Sequence, residues 1–154
     1  MIRNARRDDF VSIAAITNHY IESTSIHFGY DPVSADQLAD QWSKTDRYPW
    51  LVVEDDGRVV GYAKSGSWRD RAAYQWTTEV GLYVEHGQHR KGFGRALYAA
   101  LLAELAVRGF RSAIAGITLP NDPSRAFHAA FGFVSIGTFR EAGYKHGAWH
   151  DLEF

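Results

Sequence analysis

Apolar residues recur along this chain in two rhythms. Ile2 to Arg6 alternates as a strand does. Phe10, Ile13, Ala14, Thr17 and Ile21 then fall at helical spacing behind Asp8 or Asp9, either of which can cap the helix. A loop follows around Ser25 to Pro32, and Ser34 can cap a second helix carrying Leu38 and Trp42. Strand character returns at Trp50–Glu54, with Asp55–Asp56–Gly57 as a hairpin turn and Arg58 to Ser65 as its partner. Tyr74 to Val84 predicts a long strand. Phe93 to about Val107 predicts a helix that buries Leu97, Leu101, Leu102 and Leu105 and closes at Arg108–Gly109. Arg111 to Thr118 predicts another strand, and Pro123 marks the start of a helix running to about Phe131. Gly132–Phe133 opens a last pair of strands near 133–140 and 144–153. The order β-α-α-β-β-β-α-β-α-β-β predicts a single α/β domain with a mixed sheet over residues 1–154.

Composition narrows the class. A chain of 154 residues suits one domain with a real core, and 45% apolar with 23% charged residues is ordinary for a globular protein. A net charge of −1 makes no bulk electrostatic case for nucleic acid or a membrane surface. No apolar run approaches the roughly 20 residues of a spanning helix, and Met1–Asn4 shows no apolar signal region, so a cytoplasmic protein is expected. The absence of Cys excludes disulfides, thiolate metal sites and cysteine nucleophiles. Among seven histidines, His146 and His150 with Asp151 form the best metal cluster. On one strand, however, positions i and i+4 lie about 13 Å apart, so no metal is expected.

The chemistry gathers where the strand ending at Val84 runs through Glu85–His86–Gly87–Gln88–His89–Arg90–Lys91–Gly92 into the helix beginning near Phe93. Backbone N–H groups at a helix start lack intrahelical partners and carry the positive end of its dipole. Gly92 and Gly94 let that backbone approach an anion, and Arg90 and Lys91 add charge, so the segment reads as a phosphate cradle. A solvated basic turn is the plainer alternative. The run is not a P-loop, because G-x-x-x-x-G-K-[ST] is missing. It is not a dinucleotide fingerprint either, because Leu97 stands where G-x-G-x-x-G needs its third glycine.

His89–Arg90–Lys91–Gly92–Phe93–Gly94 resembles the pyrophosphate loop [QR]-x-x-G-x-[GA] of the GNAT (GCN5-related) N-acetyltransferases, with His89 at the first position. Asn121–Asp122–Pro123–Ser124–Arg125–Ala126–Phe127–His128 followed by Gly132–Phe133 resembles the second signature of that family. Within it, Tyr48–Val52, Ser67–Glu79, Leu119–Ser124 and Gly143–Asp151 resemble the phosphinothricin acetyltransferase group, which includes the methionine sulfone and sulfoximine acetyltransferases. After Glu79 this chain has Val80–Gly81, where that group has two hydroxyl residues.

The resemblance implies acetyl-CoA as co-substrate and acetyl transfer to the α-amine of a small amino acid such as phosphinothricin or methionine sulfone. It implies a homodimer, with the Trp149 region as an interface, and a resistance role against such compounds. Val84 and His89 to Arg95 would hold the pyrophosphate end, and Asn121, Ser124 and Phe127 the pantetheine or thiol end. Backbone N–H groups at a bulged strand end near Leu82 and Tyr83 would polarise the acetyl carbonyl. Glu79 is the expected base, since an α-amine is mostly protonated at neutral pH and burial would raise a glutamate toward neutrality. A glutamate on the sheet surface is the plain alternative. His128, which the resemblance puts near the CoA sulfur, would serve as acid for the leaving thiolate or as a second proton acceptor. Arg69 and Arg71 suit an oxyanion of the substrate, Tyr83 shares a face with Glu79 by alternation, and Tyr74 is favoured by the resemblance. Phe28 is an expected lid. Asn121 also makes a good helix cap, and both arginines also suit a solvated surface. Other acceptors, such as a peptide N-terminus or a polyamine, and a non-catalytic acyl-CoA sensor remain open at this point.

Overall fold

A computed structural model describes residues 1–154. The strands are β1 (Ile2–Asn4), β2 (Trp50–Asp55), β3 (Arg58–Ser67), β4 (Thr77–Val84), β5 (Ser112–Ile114), β6 (Ile117–Thr118), β7 (Thr138–Lys145) and β8 (Ala148–Glu153). The helices are α1 (Phe10–Ser23), α2 (Ala35–Ser43), α3 (Phe93–Val107) and α4 (Asp122–Ala130). One sheet runs β1-β2-β3-β4-β5, antiparallel except for the parallel β4–β5 pair, and a second runs β6-β8-β7. This is the expected mixed α/β domain. No helix is long and apolar enough to cross a membrane.

Strand alternation divides the core into two layers. Trp50 and Val52 of β2 point toward α1 and α2, where they join Phe10, Ile13, Ile16 and Tyr62. Leu51 and Val53 point the other way, onto Leu97, Tyr98, Leu101 and Leu105 of α3. A bulge between Val53 and Glu54 reverses the parity of β3, so Val59 and Tyr62 share one face while Val60 and Ala63 share the other. On β4 the same logic puts Val80 and Leu82 against α3, and Tyr83 against the α1 layer. Glu79 and Gly81 share the parity of Tyr83.

Local signals explain most element boundaries. Ser34 caps α2 by accepting from the Gln37 N–H, and Gln37 reciprocates to the Ser34 N–H. Asp56 and Gly57 both take positive φ in the β2–β3 turn. Four expectations need correction. The expected strand 74–84 begins only at Thr77, because Ala72–Tyr74 form a short 3-10 turn. The expected strand 111–118 breaks at Ala115–Gly116, so that β5 belongs to the first sheet and β6 to the second. The last hairpin turns at His146–Gly147, which both have positive φ, and not near Gly143. Glu141 (φ 49) instead lies in a register shift between Phe139 and Gly143, and β7 itself starts five residues later than expected. His146 therefore lies in the turn and His150 on β8, not on one strand. Finally, Asp9 does not cap α1 with its side chain; its carboxylate accepts from the Arg6 N–H at 2.6 Å and pairs with Arg3.

Candidate active site

β4 and β5 pair only from Thr77–Ser112 to Glu79–Ile114, and then part. The opening between them belongs to a cleft of about 980 Å³ lined by Val80 to Val84 on one side and Ala115 to Thr118 on the other. The ladder on the far edge of β4 decides which backbone groups face that opening. The Glu85 N–H bonds to the Val60 carbonyl, and the β3–β4 register runs without a shift from Gly61–Val84 to Ser67–Thr78. In an antiparallel pair, hydrogen-bonded positions alternate. Residues 79, 81, 83 and 85 thus bond to β3, while Val80, Leu82 and Val84 turn their N–H and C=O outward. Tyr20 confirms the parity by donating its hydroxyl to the outward Val84 carbonyl at 2.6 Å. The Leu82 N–H therefore faces the cleft, whereas the Tyr83 N–H is spent on β3. The outward donor comes from strand divergence, not from the expected bulge.

At one end of the cleft lies the start of α3. Gly92 is its N-cap with φ 84, and no side chain caps that end. At Gly94 a Cβ would fill space toward the cleft, in ordinary contact with the Leu82 and Val84 side chains at 3.5 and 3.6 Å. His89, Arg90, Gly92, Gly94 and Arg95 all line the cleft. His89 also anchors the loop: its Nε2 lies 2.9 Å from the Tyr20 hydroxyl. The single Tyr20 proton goes to Val84, so the histidine is the donor in that contact. Lys91 is exposed and does not line the cleft, and Phe93 packs into the α3 core layer.

Toward the middle, Glu79 and Tyr83 stand on the α1 side of the sheet, with Gly81 between them. Glu79 is not buried as expected. It is open to the cleft, yet the protein around it desolvates the carboxyl enough to raise its pKa above the usual range, with Lys64 opposing that shift. Tyr83 stacks on Tyr62 with centroids 5.3 Å apart and touches the rings of Tyr20 and His27. Burial, followed by the nearby Glu79 charge, pushes its hydroxyl up to about 12, so it stays protonated.

On the opposite wall, Asn121 caps α4 by accepting from the Ser124 N–H at 3.2 Å, and both residues line the cleft. His128 sits among the rings of Tyr98, Phe127 and Phe133, and burial lowers its pKa. Its Nδ1 is 2.8 Å from the Ser124 carbonyl, which can only accept. The neutral ring thus carries its proton on Nδ1 and leaves Nε2 free to take one. Of the two roles expected for His128, this tautomer suits the acceptor.

Several expected residues lie elsewhere in the single chain. Arg69, Arg71 and Tyr74 are exposed and outside the cleft lining, with Arg69 resting over the Trp68 ring at 5.1 Å. Phe28 packs on the β7–β8 hairpin; a Cβ on Gly143 would come within 2.6 Å of its ring. Its loop is held there by Lys145, a buried cation whose Nζ donates to the carbonyls of Ile21 and His27. Ile26, not Phe28, is the residue by which that loop reaches the cleft. Trp42, Tyr48, Trp50 and Lys64, none of them singled out for the site by the sequence pattern, also line the cleft. Lys64 had a usable signal, a lone charge at the centre of a strand otherwise uncharged after Arg58.

Known proteins resemble this chain over nearly its whole length. The profile of the Acetyltransferase (GNAT) family matches residues 13–133. A phosphinothricin N-acetyltransferase of Streptomyces viridochromogenes is 46% identical over 154 residues, spanning 99% of this chain and 84% of its own. An L-methionine sulfoximine/L-methionine sulfone acetyltransferase of Salmonella typhimurium is 34% identical, spanning 99% and 91%. The crystal structure of a GNAT superfamily phosphinothricin acetyltransferase from Sinorhizobium meliloti in complex with acetyl-CoA superposes with a TM-score of 0.95 at 33% identity, covering 99% of this chain and 84% of that one.

Proposed function

This chain belongs to the GNAT acetyltransferase family, and we propose that it transfers the acetyl group of acetyl-CoA to the α-amine of a small amino acid of the phosphinothricin or methionine sulfone kind. The observation that carries the reading is one continuous cleft with an uncapped, glycine-opened helix start at one end and a carboxylate of raised pKa on its acceptor side. The residues present fit the cofactor. Donors at the start of α3, with Arg90 and Arg95, suit its pyrophosphate. The gap between β4 and β5 suits the pantetheine arm, whose amides need backbone partners such as the outward Val84 N–H.

In the proposed mechanism Glu79 takes one proton from the ammonium of the acceptor, directly or through water. The amine then attacks the thioester carbonyl, forming the C–N bond, while the Leu82 N–H stabilises the oxyanion. As the C–S bond breaks, the second nitrogen proton passes by way of His128 Nε2 to the departing sulfur. The products are the N-acetyl amino acid and free CoA, with the proton on Glu79 returned to solvent. A thiol-release assay over a panel of amino acids tests this. Turnover with phosphinothricin or methionine sulfone supports it, and tight CoA binding without thiol release from any amine sinks it.

Gly92→Val probes the cofactor end. A β-branched residue at φ 84 is strained. Titration with acetyl-CoA should show about 10-fold weaker binding or worse, the loss of roughly one charge-assisted hydrogen bond.

A homodimer is also proposed. Val134, Ile136, Phe139, Tyr144 and Trp149 are large apolar side chains left exposed on and before the β7–β8 hairpin, Trp149 by 62%. Patches of this kind mark interaction surfaces. Light scattering on Trp149→Glu should report the mass of a monomer where the unaltered chain reports a dimer.

A further inference from the structure

Lys64 is a cation that no protein carboxylate pairs with directly. On the α1 side of the sheet it occupies one row with Trp50 of β2 and Gly81 of β4. Its stem lies along the open face of that glycine, since a Cβ at position 81 would meet Lys64 Cγ at 3.8 Å and Cε at 3.9 Å. The ammonium rests 4.8 Å from the centroid of the Trp50 ring. No salt bridge and no side-chain hydrogen bond involves it. An ammonium offers three donors, and holding them among rings is costly unless an acceptor arrives.

The surrounding charges sharpen the point. His27, beside the same wall, is held below its ordinary pKa by burial, then by the positive charges of Lys64 and Lys145. The anion that faces Lys64 within the cleft is Glu79, one step diagonally along the ladder. Cross-strand diagonals of this type separate Cα atoms by roughly 7–8 Å. One face of the acceptor half therefore presents a carboxylate and an ammonium that feel each other's charge without forming a salt bridge, and the amine and oxyanion of an amino acid carry the matching charges. Burial also lowers the Lys64 pKa, as expected of a cation awaiting a partner.

We propose that Lys64 is a specificity-determining residue that binds an oxyanion of the acceptor, either its α-carboxylate or an anionic side-chain end such as a phosphinate. The proposal rests on the acetyl-transfer reading for the position of the amine at Glu79. It replaces the Arg69 and Arg71 pair, which lies outside the cleft in this chain, as the source of the anion contact. A pocket of this polarity selects amino acids over polyamines, which would bring a second cation against Lys64.

The test is calorimetry on CoA-loaded protein with three probes: phosphinothricin, methionine sulfone and the carboxamide of methionine sulfone. In K64M, binding of an anionic contact partner should weaken about 10–100-fold, the range for a charge-assisted hydrogen bond. Loss with phosphinothricin alone supports the side-chain end as the ligand of Lys64. Loss with both acids but not with the carboxamide supports the α-carboxylate. Equal loss with all three, no loss with any, or no binding of either acid to the unaltered protein overturns the proposal. K64Q gives the same comparison if K64M does not fold. Failure of the acetyl-transfer reading would show separately, as amino-acid binding without thiol release.

Discussion

Glu79→Gln is expected to lower turnover by about 10²–10⁴-fold while leaving acetyl-CoA binding nearly unchanged, the usual cost of losing a general base. The substitution keeps shape and removes only the ability to accept a proton. Glu79 lies away from the start of α3, so the cofactor end has no reason to respond. The pH profile gives the sharper check. Desolvation raises the Glu79 pKa, with Lys64 limiting the rise. The base form exists above that pKa, so kcat/KM should climb as pH rises through a value above the ordinary glutamate range. The Gln variant should lack that limb. A variant that keeps both the limb and near-normal turnover would remove Glu79 from the role.

The fold was largely legible because its signals are local. Ser34, Asp56–Gly57 and Gly109 each state a cap or turn within a few residues, and the structure has each of them where the pattern puts it. The last hairpin was misread for a matching reason. Gly143 looks like a turn glycine, but its lack of a side chain is needed for a distant contact with Phe28, while His146–Gly147 turns the chain. Likewise Ala115–Gly116 carries no breaker strong enough to announce that one strand ends and another begins. The split follows from pairing with β8, a choice made across the sequence.

The site was legible where it is made of backbone and obscure where it is made of packing. Gly92, Gly94 and Asn121 act through their own main chain or immediate neighbours, so their spacing carries the information. Burial of Glu79 could not be read from a strand pattern, because the opening that exposes it arises where β4 and β5 part. Lys64 faces Gly81 only through a ladder register, and Lys145 pins the 24–30 loop from more than 110 residues away. Parity alone, however, correctly put Glu79 and Tyr83 on one face.

Arg3→Met is expected to destabilise the fold by about 3 kcal/mol, within the range for breaking a buried ion pair and near its lower end because the group is not fully dry. Arg3 grips Asp9 with both terminal nitrogens, at 2.7 and 2.8 Å, and also reaches Glu54 at 2.5 Å. That fork ties β1 to the start of α1 and to β2. Removing it leaves two carboxylates facing each other with no cation between them. For a domain of this size the melting temperature should fall by roughly 6–12 °C. The pH dependence separates this cause from lost packing. Burial pushes the Asp9 carboxyl up, but Arg3 and the Arg6 N–H overcome it and hold the pKa below its ordinary value. In the native protein that contribution is present above the unfolded pKa and is lost as pH falls through the folded one. In the variant the cation is gone and burial acts on Asp9 with only the Arg6 N–H against it, so most of that acid-sensitive contribution is missing. The gap in melting temperature should therefore be widest near neutral pH and close in acid. A gap that stays constant with pH would mean that Arg3 contributes mainly by packing its stem.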